Sequence, residues 1–204
     1  MRLIFIRHPR TEANEKKLVY GRTDALYSQS GLATIPGIVA ALHDIRIDKL
    51  YTSPLTRTRL LACAIGEDHG IMPEDIAEDE RIIEMDFGLF ENKTIPQLRQ
   101  QYPEEYGQYI KQFEEYAVPQ GESYRQVYHR VGAFLEEIYE IYETRSAGGS
   151  GAAGDNSEDA NEKKRQPAER TNLAGTGRRK ATGQQGQPGQ QGFAERTVVA
   201  VAHS

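Results

Sequence analysis

Leu3-Ile4-Phe5-Ile6-Arg7-His8 is an unbroken apolar run that ends in a guanidinium and an imidazole. A short run of this kind, without polar alternation, fits a strand buried on both faces, as in a parallel sheet covered by helices. In open α/β sheets the chemistry lies just beyond the carboxyl ends of the strands, where Arg7 and His8 fall. A planar fork of donors beside a neutral, nucleophilic ring suits a phosphate. Taken alone, an Arg-His pair after a strand is more often an ordinary strand exit. Further groups at the same edge must decide between the two.

The far end of the chain repeats the signature. Thr197-Val198-Val199-Ala200-Val201-Ala202 is again apolar and again runs into a histidine, His203. If the two strands are parallel neighbours, both imidazoles meet at one edge. The polar stretch Pro9-Arg10-Thr11-Glu12-Ala13-Asn14 and the turn Tyr20-Gly21-Arg22-Thr23-Asp24 would return toward it, bringing Arg10, Asn14 and Arg22 as donors for an anion. Taken one at a time, these read equally as solvated loop residues.

Between the ends, helices and strands alternate. Ser30 is placed to cap a helix running to about Asp44, with Ile35, Ile38, Val39 and Leu42 at helical spacing and Pro36 disturbing its start. A strand follows at Lys49-Leu50-Tyr51-Thr52. Ser53-Pro54 then reads as N-cap and first residue of another helix, with Leu60, Leu61, Ala64 and Ile65 on its buried face. Cys63, the only cysteine, reads as a packed core thiol. Arg57 sits in the first turn of this helix, against the local dipole. That makes sense if it and the free N–H groups face a phosphate together; otherwise it snorkels to solvent. Glu84 lies between Ile83 and Met85, where apolar neighbours can raise a carboxyl pKa and make it a proton donor.

From Thr94 to Ala117 the chain is tyrosine-rich and helical in pattern, broken near Pro103, with the size of a lid. Tyr102, Tyr106, Tyr109, Phe113 and Tyr116 read as packing residues rather than a ligand box. Ser123 and Gln126 form a capping box ahead of a helix whose stripe is Val127, Val131, Phe134, Ile138 and Ile141. His129 falls off that stripe.

Composition bounds the rest. The chain has 204 residues and a net charge of −5, which argues against non-specific nucleic-acid binding. No apolar run approaches the ~20 residues of a membrane span, and Arg7-His8-Pro9-Arg10 interrupts any signal-like N-terminal stretch. A cytoplasmic protein is the default expectation. Residues 1–145 and 195–204 are expected to form the domain. Residues 146–194, rich in Gly, Gln, Ser and charge, are expected to be a disordered insertion. That stretch holds the string Gly149-Ser150-Gly151-Ala152-Ala153-Gly154, which mimics a dinucleotide fingerprint but follows a helix pattern rather than a strand. Its basic cluster Arg178-Arg179-Lys180 reads as solvated charge.

Together these stretches resemble the histidine phosphatase, or phosphoglycerate mutase-like, superfamily. The likeness is carried, in the family's order, by residues 7–14, 20–24, 52–58, 83–88 (Ile83-Glu84-Met85-Asp86-Phe87-Gly88), 119–123 (Pro119-Gln120-Gly121-Glu122-Ser123) and 198–204. The family usually reads Arg-His-Gly-Glu at its first motif; here Pro9 and Arg10 replace Gly and Glu. The resemblance implies an α/β fold with a mostly parallel central sheet flanked by helices, and with a helical lid insertion. The family pattern continues past its second histidine, so a chain ending at Ser204 is expected to lack those elements, a truncated C-terminus.

The same likeness implies that His8 attacks phosphorus and forms a phosphohistidine, while Glu84 protonates the leaving oxygen. Arg7, Arg57 and His203 would hold the phosphoryl oxygens, with Asn14 and Arg22 adding to the phosphate site. No metal or other cofactor is implied, and the five histidines lack metal-type spacing. The stretch from Glu84 to Glu91 and the Pro119–Ser123 turn look most like the small phosphatase branch, which includes the α-ribazole phosphatases of cobalamin biosynthesis. The expected partner is a small phosphorylated substrate such as α-ribazole 5′-phosphate. A phosphoglycerate mutase, or a truncated non-catalytic member that binds phosphate ligands, are the alternatives. Oligomeric state cannot be read.

Overall fold

A computed structural model describes residues 1–144 and 195–203. The expectations for residues 146–194 therefore lie outside the described residues. Along the chain come β1 (Arg2–Arg7), α1 (Glu12–Glu15), β2 (Leu18–Val19), α2 (Gln29–Leu32), α3 (Ile35–Leu42), β3 (Lys49–Thr52) and α4 (Thr56–His69). They continue with β4 (Ala77–Glu78), β5 (Lys93–Thr94), α5 (Ile95–Gln101), α6 (Pro103–Lys111), α7 (Tyr124–Tyr139) and β6 (Thr197–Ala202).

The main sheet is four-stranded, in the order β1-β6-β3-β4, and all its pairings are parallel. The mostly parallel α/β expectation is met. Strands β2 and β5 form a separate antiparallel pair. The last strand enters between the first and the third, with Arg7 opposite Ala202 in register. His8 and His203 are therefore each the first residue past the sheet edge.

Central β6 is buried along its whole length. Val199 and Val201 pack with Leu42, Leu50, Leu61 and Ile65 on one face. Val198, Ala200 and Ala202 pack with Phe134 and Ile138 of α7 on the other. The expected burial on both faces thus belongs to β6. It does not hold for β1, which has one strand neighbour among the described residues and leaves Phe5 49% exposed.

Local details correct several expectations. The helix cap is Ser28, whose hydroxyl accepts from Gly31 N at 3.2 Å, whereas Ser30 donates to Glu15 at 2.9 Å. The expected single helix is split into α2 and α3, because Pro36, lacking an N–H, suits the first turn of a new helix. Ser53 does not cap α4, which starts at Thr56 after Leu55; the Ser53 hydroxyl is engaged by Thr58 and His203 instead. On α4 the buried face is Arg57, Thr58, Leu61, Ala62, Ile65 and Gly66. Leu60 and Cys63 fall on its exposed side, so Cys63 is no core thiol. The tyrosine-rich stretch does break before Pro103, and α5 and α6 cover a cluster of Phe90, Leu98 and Val118 against which Tyr102, Tyr106, Tyr109 and Tyr116 pack. The Ser123–Gln126 capping box is present, Phe134 and Ile138 of the stripe are buried, and His129 is exposed.

Candidate active site

His8 and His203 face each other across the sheet edge, with ring centroids 5.1 Å apart and planes tilted by 59°. His8 is buried, and its Nδ1 lies 2.7 Å from the Pro9 carbonyl oxygen. A carbonyl only accepts, so Nδ1 carries the proton and Nε2 keeps its lone pair. Burial, with Arg57 and Arg7 nearby, pushes the pKa of His8 down to about 4 despite the opposing Pro9 bond. The ring is a neutral base at pH 7. His203 places Nε2 2.9 Å from Ser53 Oγ, while its buried Nδ1 has no hydrogen-bond partner and lies 4.0 Å from Glu84 Oε2. Burial first, then the charge of Arg57, keeps His203 well below its ordinary pKa.

Glu84 follows the short helical turn Glu80–Ile82. Its Oε1 accepts from Met85 N at 2.9 Å. Burial raises its pKa, and the opposing pulls of Met85 N–H, Arg57, Arg130 and Arg7 do not cancel the rise. Arg130 of α7 grips the backbone that carries it: Nη1 donates to Ile83 O at 2.5 Å and Arg81 O at 2.8 Å, and Nη2 donates to Glu84 O at 3.2 Å. Arg130 also pairs with both Glu122 oxygens at 3.0 Å. Sequence reasoning missed this clamp. Its one legible sign was a cation three residues after Val127 and four before Phe134, on the apolar stripe itself.

Arg57 is only 1% exposed. Its Nη1 donates to Thr23 O at 2.8 Å and Nη2 to Gly21 O at 2.6 Å, and the guanidinium stands 4.9 Å over the Tyr20 ring. The terminal fork expected on phosphate therefore serves the Gly21–Thr23 turn. That turn is held by Glu91, also missed from sequence, which accepts from Gly21 N (2.8 Å), Arg22 N (3.1 Å) and Thr23 N (3.2 Å). A side chain at Gly21 would put its Cβ 1.6 Å from Met85 O, so only glycine permits this approach.

Arg7, His8, Asn14, Glu84 and His203 line one cleft of about 540 Å³. Asn14 is held there by Tyr20 and Thr11, which donate to its Oδ1. Arg57 lies behind the cleft wall, and Arg22 stands outside the lining, with Nη2 3.5 Å from Glu122. Arg10 is exposed and also outside. Among the described residues, Nε of Arg22, Nε of Arg57 and Nδ1 of His203 are the buried side-chain atoms without a hydrogen-bond partner. All three belong to residues assigned to the anion site from sequence. Leaving a buried polar atom unpaired costs about 1–3 kcal/mol, and of the three only His203 lines the cleft. No group of three or more His, Cys, Asp or Glu side chains among the described residues could hold a metal ion.

Comparison with known proteins agrees with this geometry. A family model for the histidine phosphatase superfamily (branch 1) matches residues 3–147. Phosphoserine phosphatase 1 of Hydrogenobacter thermophilus is 30% identical over 138 residues, covering 68% of this chain and 64% of that one. The chain spans less than two-thirds of the length of the curated relatives it matches. The α-ribazole phosphatase of Shigella flexneri superposes with a TM-score of 0.68 at 19% identity, over 100% of this chain and 74% of the other. A phosphoglycerate mutase from Bacillus anthracis gives a TM-score of 0.63 at 17% identity, over 98% and 74%. At these identities the superpositions establish the fold.

Proposed function

Because the chain belongs to the histidine phosphatase superfamily (branch 1), we propose that it hydrolyses a small phosphomonoester through a phosphohistidine on His8. The observation that carries this reading is the pair of imidazoles 5.1 Å apart with the partly buried Glu84 carboxyl 4.0 Å from one of them. His8 Nε2 has the lone pair to attack phosphorus; the N–P bond forms as the ester P–O bond breaks. Glu84, whose pKa burial raises, gives its proton to the departing alcohol oxygen. Water then attacks phosphorus, Glu84 takes its proton, and the N–P bond breaks to release phosphate and restore His8. Arg7 supplies donors and positive charge for the phosphoryl oxygens, and buried Arg57 adds its charge from behind the cleft wall.

α-Ribazole 5′-phosphate is the finer substrate assignment, supported by the fold shared with α-ribazole phosphatases and by the Glu84–Glu91 stretch. Turnover of p-nitrophenyl phosphate, together with an acid-labile phosphoryl label on His8, tests the reaction. Both should vanish in His8→Ala with the circular dichroism spectrum retained. Absence of turnover and label in the unmodified chain would overturn the hydrolase and leave a phosphate binder.

A further inference from the structure

Among the described residues, the only charged side chains lining the cleft apart from the histidines are Arg7 and Glu84, at its phosphate end. Beyond them the lining is apolar and aromatic. Phe90 meets Tyr109 edge-on at 5.7 Å, Tyr109 meets Phe113 at 5.5 Å, and Phe113 lies 5.2 Å from Tyr124 at 34°. This chain of rings runs from the buried cluster beneath the lid to the cleft rim. There Phe113 and Tyr124 are 44% and 45% exposed. Leu18 and Val19 of β2 also line the cleft. Tyr109 is half-buried and lines the same cleft as Glu84, so the ring wall and the proton donor share one space.

We infer that the alcohol part of the substrate is an uncharged aromatic or apolar group, seated on Tyr109, Phe113 and Tyr124. This rests on the hydrolase reading above. A carboxylate or ammonium on that side would lose hydration and find no counter-charge in the wall. A ring gains edge and face contacts with the aromatic chain. The expected class departs from phosphoserine, the substrate in the name of the Hydrogenobacter relative.

The test compares kcat/KM for 2-phenylethyl phosphate and 3-phosphoglycerate, both esters of primary alcohols, on the full chain. The phenyl ester should be favoured by at least ~10-fold, and Phe113→Ser and Tyr124→Ser should each shrink that ratio. A second measurement needs no turnover: calorimetric binding of benzylphosphonate against 3-phosphonopropionate, where the benzyl compound should bind tighter. Equal or reversed preference in either measurement overturns the aromatic seat. Tighter benzylphosphonate binding with no ester hydrolysed supports the seat while overturning the hydrolase.

Discussion

Ser53 Oγ lies 2.9 Å from His203 Nε2, and this contact fixes which ring nitrogen faces the cleft. Thr58 Oγ1 donates its single proton to the carbonyl oxygens of Ser53 or Leu55, at 2.9 and 2.8 Å. With its proton so used, Thr58 accepts from Ser53 at 2.7 Å, and in this arrangement the Ser53 proton is spent. Only Nε2–H of His203 remains to donate to Ser53, so Nδ1 is bare toward the cleft. His8 is held the opposite way, with its proton on Nδ1 and Nε2 bare. Two lone pairs thus face one space. One suits attack on phosphorus, and the other can accept the proton of a phosphate monoanion.

Thr58→Val frees the Ser53 proton for Nε2 and should move the His203 proton to Nδ1. Nitrogen-15 NMR of the imidazoles reads the exchange directly, and a loss of one hydrogen bond's worth of alignment predicts a ~5–100-fold fall in kcat. An unchanged His203 tautomer in the variant would show that the hydroxyl chain does not set it.

The pH profile has two limbs with different owners. His8 must be unprotonated to attack, so kcat/KM should rise as pH passes upward through about 4. Glu84 must be protonated to give its proton, so kcat/KM should fall as pH passes its raised pKa. Glu84→Gln keeps the first limb, loses the second and slows turnover by ~10²–10⁴-fold. The substrate's own second ionisation, near pH ~6, is shared by both enzymes and drops out of the comparison.

Much of the site was legible because its chemistry is encoded next to strong strand signals. The apolar runs ending at His8 and His203 place both rings once β1 and β6 pair in parallel. Arg57 drew attention by its unfavourable place in a helix's first turn, but its fork proved to hold the Gly21–Thr23 turn. What stayed hidden acts across long sequence separations. Glu91 bonds backbone 68–70 positions away, and Arg130 reaches back 46–49. Neither leaves a periodic trace. The burial of β1 was misjudged because composition describes a strand but not how many neighbours it has.

Burial of His8 also makes stability depend on pH. The fold pushes its pKa from the ordinary 6.5 down to about 4. The folded state therefore binds fewer protons between those values, and stability falls as pH drops through that window. The loss is roughly 3 kcal/mol by pH 4, and buried His203, shifted the same way, adds to it. Urea midpoints should fall between pH 7 and pH 4, and His8→Asn should flatten the slope. An identical slope in His8→Asn would mean that other groups dominate.

The Arg130–Glu122 pair tests whether Glu84 is positioned from behind. Both side chains are largely buried, at 16% and 19% exposed, so Arg130→Met alone leaves Glu122 with only the longer Arg22 contact and the Asp86 N–H and should destabilise by ~1–3 kcal/mol. It also frees the carbonyls of Ile83 and Glu84, letting the acid drift from the leaving oxygen. The double variant Arg130→Met/Glu122→Gln removes the stranded charge and should recover much of the stability. It should not recover kcat, because the donors to the Glu84 backbone are still missing. Stability and rate would therefore separate. A double variant that regained both together would show that Arg130 serves the fold alone.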